Sequence, residues 1–429
     1  MTKREDKMAE DEVNHPNREE TSSTALIPRM LAVIPFLALP GKKTSHMNDQ
    51  SSAEEGMGVK KSTPPGDNSA PNFLYSQTEL SVFQILPSLF AVIKQKILTT
   101  ARENLEDIRA WITNHQAKDL PFAWKKNLDE GQKIIIEPKP DDYDIWYIGD
   151  LHGDILACDV ILHFIFEKNP SARVVFLGDL IDRQEYSLEV FARVVWYILK
   201  YPGQILWIAG NHDIGLRYDD DSQKFISTVE PAEFSLWLNA NQEFTDLGKF
   251  YIEIAKCLPR ALFLGDGLCI VHGGVPGKEQ LASIATLADL CSPIALDAYT
   301  SNRLNPDKPR ARGKELGWEN VHAFLEKASS LLDFSVTRVL RGHDHCEKER
   351  FLFYEQYKEN PVLTFVSLTA WTADEAYFKN LYQSVATSLI VAHHRKGLLP
   401  EIVELKIPQS LVTEFWEAPT ATRKNDEKG

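Results

Sequence analysis

The sequence predicts an α/β protein built on a mostly parallel sheet, with a helical arm ahead of it. Three observations carry that expectation. From about residue 132, short runs rich in β-branched and aromatic residues alternate with segments of helical length. Several of these runs stop at a glycine followed by polar residues, as in "GDLHGD" at 149–154 and "GDLIDR" at 178–183. Ahead of them, residues 78–112 carry an apolar stripe at helical spacing.

Residues 1–72 are polar, are broken by "STPPGDNSAPN", and are expected to be disordered. In the stripe that follows, Leu86, Leu89, Phe90, Ile93, Ile97 and Leu98 recur every three or four residues, and Leu105, Ile108 and Ile112 continue it. With Pro87 starting or kinking one helix, residues 73–128 are expected to form a helical arm, as a pair of helices, packed on its own core or offered to a partner protein. A catalytic domain is expected over 132–408. Its strands and helices should alternate as 144–149 (strand), 155–168 (helix), 172–178 (strand), 187–201 (helix) and 204–210 (strand), a βαβαβ run. Helices near 231–240 and 245–257 follow. Two strands joined through "GDG" then form a hairpin, and a helix at 318–332 leads into "TRVLRGHDH". Further strands fill the last third, and residues 409–429 read as a polar tail.

Composition narrows the function classes. The chain has 429 residues, 43% hydrophobic and 25% charged, with a net charge of −14, of which residues 1–70 account for only −2. An acidic body of this kind disfavours nucleic acid and anionic membranes, which demand basic patches, and suits a protein that holds divalent cations. The five cysteines, Cys158, Cys257, Cys269, Cys291 and Cys346, form no CxxC pair. That argues against a disulfide scaffold or zinc-thiolate site and fits a reducing compartment. "MLAVIPFLALPG" at 30–41 is too short and too proline-broken to span a membrane and lacks the short basic leader of a signal peptide.

Five predicted strands end in loops of similar chemistry: "GDLHGD", "GDLIDR", "GNHD" (210–213), "HGG" (272–274) and "RGHDH" (341–345). In open α/β sheets such ends gather in one crevice. They present Asp150, His152, Asp179, Asn211, His212, His272, His343 and His345. Nitrogen and hard-oxygen donors without thiolate suit manganese, iron or zinc rather than a calcium cage. Asp154, just before the helix at 155, is expected to cap it, and His163, His322, His393 and His394 lie off the motifs as structural or surface residues.

These five motifs resemble the signature of the phosphoprotein phosphatase family, within the calcineurin-like metallophosphoesterase superfamily. The stretches "CLPRALFLGDGLCIVHGGVP" and "RARGKELGWENVHAFLEKASSLLDFSVTRVLRGH" add to the likeness, which spans roughly 143–370. The sequence departs from the family's pattern at Gln184, where a glycine is usual, at Asp213, where the third motif usually ends in glutamate, and at "SLTAW" (367–371), where eukaryotic members carry SAPNYC. His345 is similar to the GHxH ending of the wider superfamily.

The resemblance implies a metallophosphoesterase fold, a central mixed β-sandwich flanked by helices. It also implies two divalent ions, manganese foremost with iron or zinc as alternatives. Asp150 and His152, with His345 as a possible further ligand, would hold the first ion. Asp179 would bridge, and Asn211, His272 and His343 would hold the second. His212 would be the general acid, oriented by Asp182, and Arg183, Arg312 and Arg303 would anchor the phosphate. The implied reaction is direct hydrolysis of a phosphomonoester by a dimetal-bound hydroxide, on phosphoserine, phosphothreonine or phosphotyrosine of a protein substrate. A dinucleoside polyphosphate hydrolase and a catalytically dead scaffold are the alternatives. The expected location is cytoplasmic; a helical arm before such a core also resembles bacterial effector phosphatases, which are secreted into a host cell.

Overall fold

The protein is described by a computed structural model over residues 74–79, 90–124, 133–138, 144–304, 315–345, 351–352, 361–371, 384–385, 388–395, 398 and 400–417. The expected disordered region 1–72, Pro87, Arg312 and Cys346 lie outside the described residues.

Along the chain, β1 (Leu74–Glu79) and α1 (Phe90–Ile112) precede β2 (Ile134–Glu137), β3 (Asp144–Ile148) and α2 (Ile155–Lys168). Then come β4 (Arg173–Phe176), α3 (Ser187–Lys200), β5 (Ile205–Trp207), α4 (Asn211–Gly215) and the hairpin β6 (Leu216–Asp219) and β7 (Lys224–Ser227). Next are α5 (Glu233–Ala240), α6 (Thr245–Cys257), β8 (Ala261–Leu264), β9 (Leu268–Val271), α7 (Lys278–Leu281) and α8 (Pro293–Ser301). They are followed by β10 (Arg303–Leu304), β11 (Glu315–Leu316), α9 (Trp318–Leu332), β12 (Arg338–Arg341), β13 (Phe351–Leu352) and β14 (Val362–Phe365). The chain closes through β15 (Ala370–Trp371), β16 (Ser384–Val385), β17 (Ser388–Arg395), β18 (Glu401–Lys406) and α10 (Gln409–Glu417).

Two six-stranded mixed sheets form the centre, in the orders β1-β18-β17-β3-β4-β5 and β13-β14-β12-β9-β8-β2. In the first, β3, β4 and β5 are parallel and β17 runs antiparallel to β3. In the second, β9, β12 and β14 are parallel, while β8 and β9 form the antiparallel hairpin expected around "GDG".

The period of two along the second sheet sorts its side chains between two cores. Leu262, Leu264, Leu268, Ile270, Leu340 and Leu363 join Ile148, Val175, Leu206 and Val391 of the first sheet in one apolar cluster. Their neighbours Phe263, Cys269, Val271, Val339 and Val362 face away, into a second cluster with Tyr299 of α8 and Phe324 of α9. The sheets therefore pack face to face, with helices outside, as the mixed sandwich requires.

The segment expected as a paired helical arm differs in two respects. Its first residues form the edge strand β1, parallel to β18, and the described helix is one continuous α1. The apolar stripe faces the main core: Ile97, Leu98, Ala101, Leu105 and Ile108 are buried there with α2 and α3. Burial of each large aliphatic side chain stabilises by about 1.5–3 kcal/mol. A buried polar tie fastens the same helix, since Arg193 of α3 donates to Asn104 of α1 at 3.0 Å and pairs with Asp159 of α2 at 2.7 Å. The expected polar tail is also corrected at its start. Residues 409–417 form α10, whose Leu411, Val412, Phe415 and Trp416 are buried.

Candidate metal centre and active site

The five loops singled out in the sequence follow β3, β4, β5, β9 and β12, so both sheets contribute to one cluster at the carboxyl ends of their strands. Backbone contacts hold these loops together, within each sheet and between the two. Leu151 and His152 donate to the Asp179 carbonyl, Gly342 donates to the His272 carbonyl, and Asp150 bridges Val366 just after β14. The approach is so close that a Cβ on Gly342 would collide with Asp150 Oδ1. His152, Asp179, Asp182, Arg183 and His343 all have positive φ, between 41° and 71°. Non-glycine residues rarely sit there, and such strain clusters at functional sites.

The predicted ligand residues do meet. Three groups each present donor atoms within 4.8 Å of one another: Asp150, His152 and His345; His152, Asp179 and His212; and Asp179, His272 and His343. Hydrogen bonding fixes which ring nitrogens face inward. His272 Nδ1 lies 2.9 Å from the Leu177 carbonyl, and His152 Nδ1 lies 2.8 Å from that of Ile181. Each Nδ1 therefore carries a proton, and the inward Nε2 is the atom that offers a lone pair to a cation when the ring is neutral.

For His272 that lone pair meets three further ligand atoms: Asn211 Oδ1 and Asp179 Oδ2 at 3.2 Å, and His343 Nδ1 at 3.1 Å. For His152 it faces Asp179 Oδ2 at 3.6 Å and Asp150 Oδ2 at 3.8 Å, and it has no hydrogen-bond partner although buried. Acceptors converging on acceptors in a water-excluded site repel one another unless a proton or a cation stands between them. The residues present fit divalent ions on that ground. The field agrees: burial alone would lower the His272 pKa, but the charges of Asp179 and Asp150 lift it to about 9.

His345 lies in this cluster, with Nε2 2.7 Å from Asp150 Oδ2 and its ring 4.9 Å from that of His152. Burial holds it below the ordinary histidine pKa, which keeps it neutral.

His212 is placed differently. Its Nδ1 is 2.7 Å from Asp182 Oδ2, and its backbone N–H donates to Asp179 Oδ1. Asp182 is itself fixed, accepting at Oδ1 from the Phe234 N–H. Burial would lower the His212 pKa, but the charge of Asp179 and the Asp182 hydrogen bond outweigh it and raise it. A charged imidazole oriented by a carboxylate can donate a proton.

Arg183 lies near enough to act on this cluster: after burial, its charge is the largest influence lowering the His152 pKa. Arg303 reaches the same region but pairs with Asp344 at 2.8 Å. Asp344 also pairs with the buried Arg341 at 2.5 Å, so these groups together keep one net positive charge beside His343. Asp154 is the N-cap of α2, accepting from Ala157 N–H at 2.9 Å. Of the off-motif histidines, His393 stacks on Trp146 and His394 pairs with Asp266 at 3.1 Å.

Sequence reasoning noted Asp213 only as a departure, and its role was missed. Its two oxygens accept from the backbone N–H groups of Asp179, Leu180 and Gly210, from Trp207 Nε1 and from the Tyr251 hydroxyl. The carboxylate thereby ties the Asp179 loop to the Asn211 loop. Its position three residues after Gly210, where a helix's N3 acid bonds back to the cap N–H, was the signal available.

The sequence profile of the calcineurin-like phosphoesterases matches residues 143–347. The serine/threonine-protein phosphatase 4 catalytic subunit of Eremothecium gossypii is 40% identical over 256 residues, covering 54% of this chain and 69% of that one. Its namesake in Saccharomyces cerevisiae is 25% identical over 256 residues, covering 54% and 70%. The serine/threonine-protein phosphatase PP2A-like PPG1 of Candida albicans is 26% identical over 270 residues, covering 60% and 57%.

Proposed function

Because the chain belongs to the calcineurin-like phosphoesterases, in the line of the serine/threonine protein phosphatases, we propose that its strand-end cluster holds two divalent ions and hydrolyses phosphoserine or phosphothreonine in protein substrates. The chain is a metal-dependent protein phosphatase, a phosphoric monoester hydrolase.

The observation that carries the site reading is the convergence of Asn211, Asp179 and His343 on the His272 lone pair. Asn211, His272 and His343 would hold one ion, Asp150, His152 and His345 the other, with Asp179 shared between them. Manganese is the ion to test first, with iron or zinc as alternatives, because the donor set mixes carboxylate and amide oxygens with imidazole nitrogens and has no thiolate. Bound there, two ions supply Lewis acidity and a water acidic enough to ionise near neutral pH.

The chain's own groups do the rest. Asp182 holds the His212 ring and favours its charged form, so that His212 delivers a proton to the leaving oxygen. Arg183 takes the non-bridging phosphate oxygens, a fork matching two oxygens at once. Arg303, shared with Asp344, adds charge at the His343 side, and Arg312 belongs to the same proposal by its motif alone. The apolar stripe of α1 is committed to the core, which leaves its outer face, with Glu103, Glu106 and Asp107 exposed, as the surface for any partner protein. Among the described residues no helix is long and apolar enough to cross a membrane.

The test is turnover of phosphopeptides by protein loaded with manganese. Phosphoserine and phosphothreonine peptides should be hydrolysed faster than phosphotyrosine peptides and than diadenosine tetraphosphate. Failure on every phosphomonoester with manganese, iron and zinc would overturn the proposal.

A further inference from the structure

The loop that carries Asp150 and His152 is braced from a part of the chain outside the matched family region. Asp154, the last residue of that loop, is fully buried and divides its oxygens between two duties. Oδ1 caps α2, while Oδ2 accepts from both the backbone N–H and the hydroxyl of Thr369, each at 2.6 Å. The Thr369 hydroxyl has a single proton, and that proton goes to the carboxylate. Its oxygen is then an acceptor, and the Trp416 indole N–H of α10 donates to it at 3.0 Å. A directed relay results, from indole to hydroxyl to carboxylate, in a dry environment where successive hydrogen bonds strengthen one another.

The same segment that bears Thr369 is bonded to the metal loop at two further places. Ser367 N–H donates to the Asp150 carbonyl at 3.1 Å, and the Ser367 hydroxyl accepts from Gly149 N–H at 2.9 Å. On its other side, Trp416 packs on Tyr186 at 5.7 Å between ring centroids, as does Phe415 at 6.0 Å. Tyr186 stands three residues after Arg183, at the start of α3. Lys94 of α1 sits 5.3 Å from the Phe415 ring, so α1 and α10 meet there.

We infer that Trp416 is a positioning residue for the loop holding Asp150 and His152, acting through Thr369 and Asp154; this rests on the reading of that loop as a metal ligand carrier. Trp416 reaches the metal loop through Thr369 and Asp154. It fixes the carboxylate that ends the loop, and so the direction in which Asp150 and His152 point.

The experiment is manganese binding to full-length, metal-stripped protein, followed by competition with a chromogenic chelator. Trp416→Phe keeps an aromatic ring on Tyr186 but loses the N–H together with part of the indole's volume, and Thr369→Val replaces the hydroxyl with a methyl. Each should weaken one of the two manganese sites by about 3–10-fold, somewhat less than is typical for a group directly behind a ligand. Thr369→Ser, which restores the hydroxyl, should bind within about twofold of the wild type. Because the two groups act in one relay, the double variant should be no weaker than Thr369→Val alone. Wild-type affinity in Trp416→Phe, or effects that multiply in the double variant, would overturn the inference even if melting temperatures fall. If Trp416→Phe does not fold, Thr369→Val against Thr369→Ser still decides, since equal affinities would rule the relay out. Wild-type protein that takes up no manganese would overturn the reading of the cluster itself.

Discussion

On one side of Asp179, the atoms Asn211 Oδ1 and His343 Nδ1 crowd His272 Nε2 to 3.2 and 3.1 Å. On the other, His152 Nε2 stands 3.6 and 3.8 Å from Asp179 and Asp150, and Asp150 already has a partner in His345 at 2.7 Å. With the Leu177 carbonyl holding one His272 proton on the outward nitrogen, the first half relieves its crowding only by placing a proton or a cation among the inward-facing atoms, as the raised His272 pKa shows. The second half has an internal donor, since His345 can donate to Asp150. A cation entering the first half meets a site already waiting for positive charge. One entering the second must replace a hydrogen bond. Unequal affinities follow, tighter on the His272 side.

The largest effect is expected at the shared carboxylate. Asp179→Asn should take activity to background and metal content below two ions per chain by elemental analysis; two retained ions would remove Asp179 from between the halves. Next comes His212→Asn, which should slow turnover by about 10²–10⁴-fold with both ions retained. Full activity in that variant would deny His212 its role as proton donor, whereas lost metal would place it among the ligands. His345→Ala sharpens the contrast. If His345 is a ligand of the weaker half, that half's manganese affinity should drop about tenfold while the tighter half is unmoved. Unchanged or stronger binding would make it only a hydrogen-bond partner of Asp150. The smallest effect is expected behind the site. Tyr251→Phe removes one donor to the buried Asp213 and should lower stability by about 1.5–3 kcal/mol in chemical denaturation, with metal content unchanged. A lost ion there would mean that Asp213 controls ligand geometry more tightly than its remaining donors suggest.

Both halves were legible in the sequence, although His345 was offered only as a possible further ligand, because each candidate ligand sits in a short motif after a strand, where the geometry of an α/β sheet brings loop ends together. What escaped was whatever depends on partners distant in the chain. β1 reads "LYSQTE", polar and unremarkable, and becomes a strand only because β18 offers it a parallel edge more than three hundred residues later. α10, "QSLVTEFWE", is nine residues long, too short to be stable by propensity alone. Its buried Phe415 and Trp416 find Tyr186, a contact that no local pattern announces. α1 was visible as a helix, but its allegiance was not. A stripe at helical spacing looks the same facing a partner or its own core, and the Asn104–Arg193–Asp159 tie that decides the matter joins residues on three different helices.

The most direct measurement is anomalous diffraction from crystals of the full chain grown with manganese. Two peaks are expected about 3.5–4 Å apart, with Asp179 between them, the stronger beside Asn211, His272 and His343 and the weaker beside Asp150 and His152. A single peak, or two peaks neither of which touches Asp179, would contradict that arrangement.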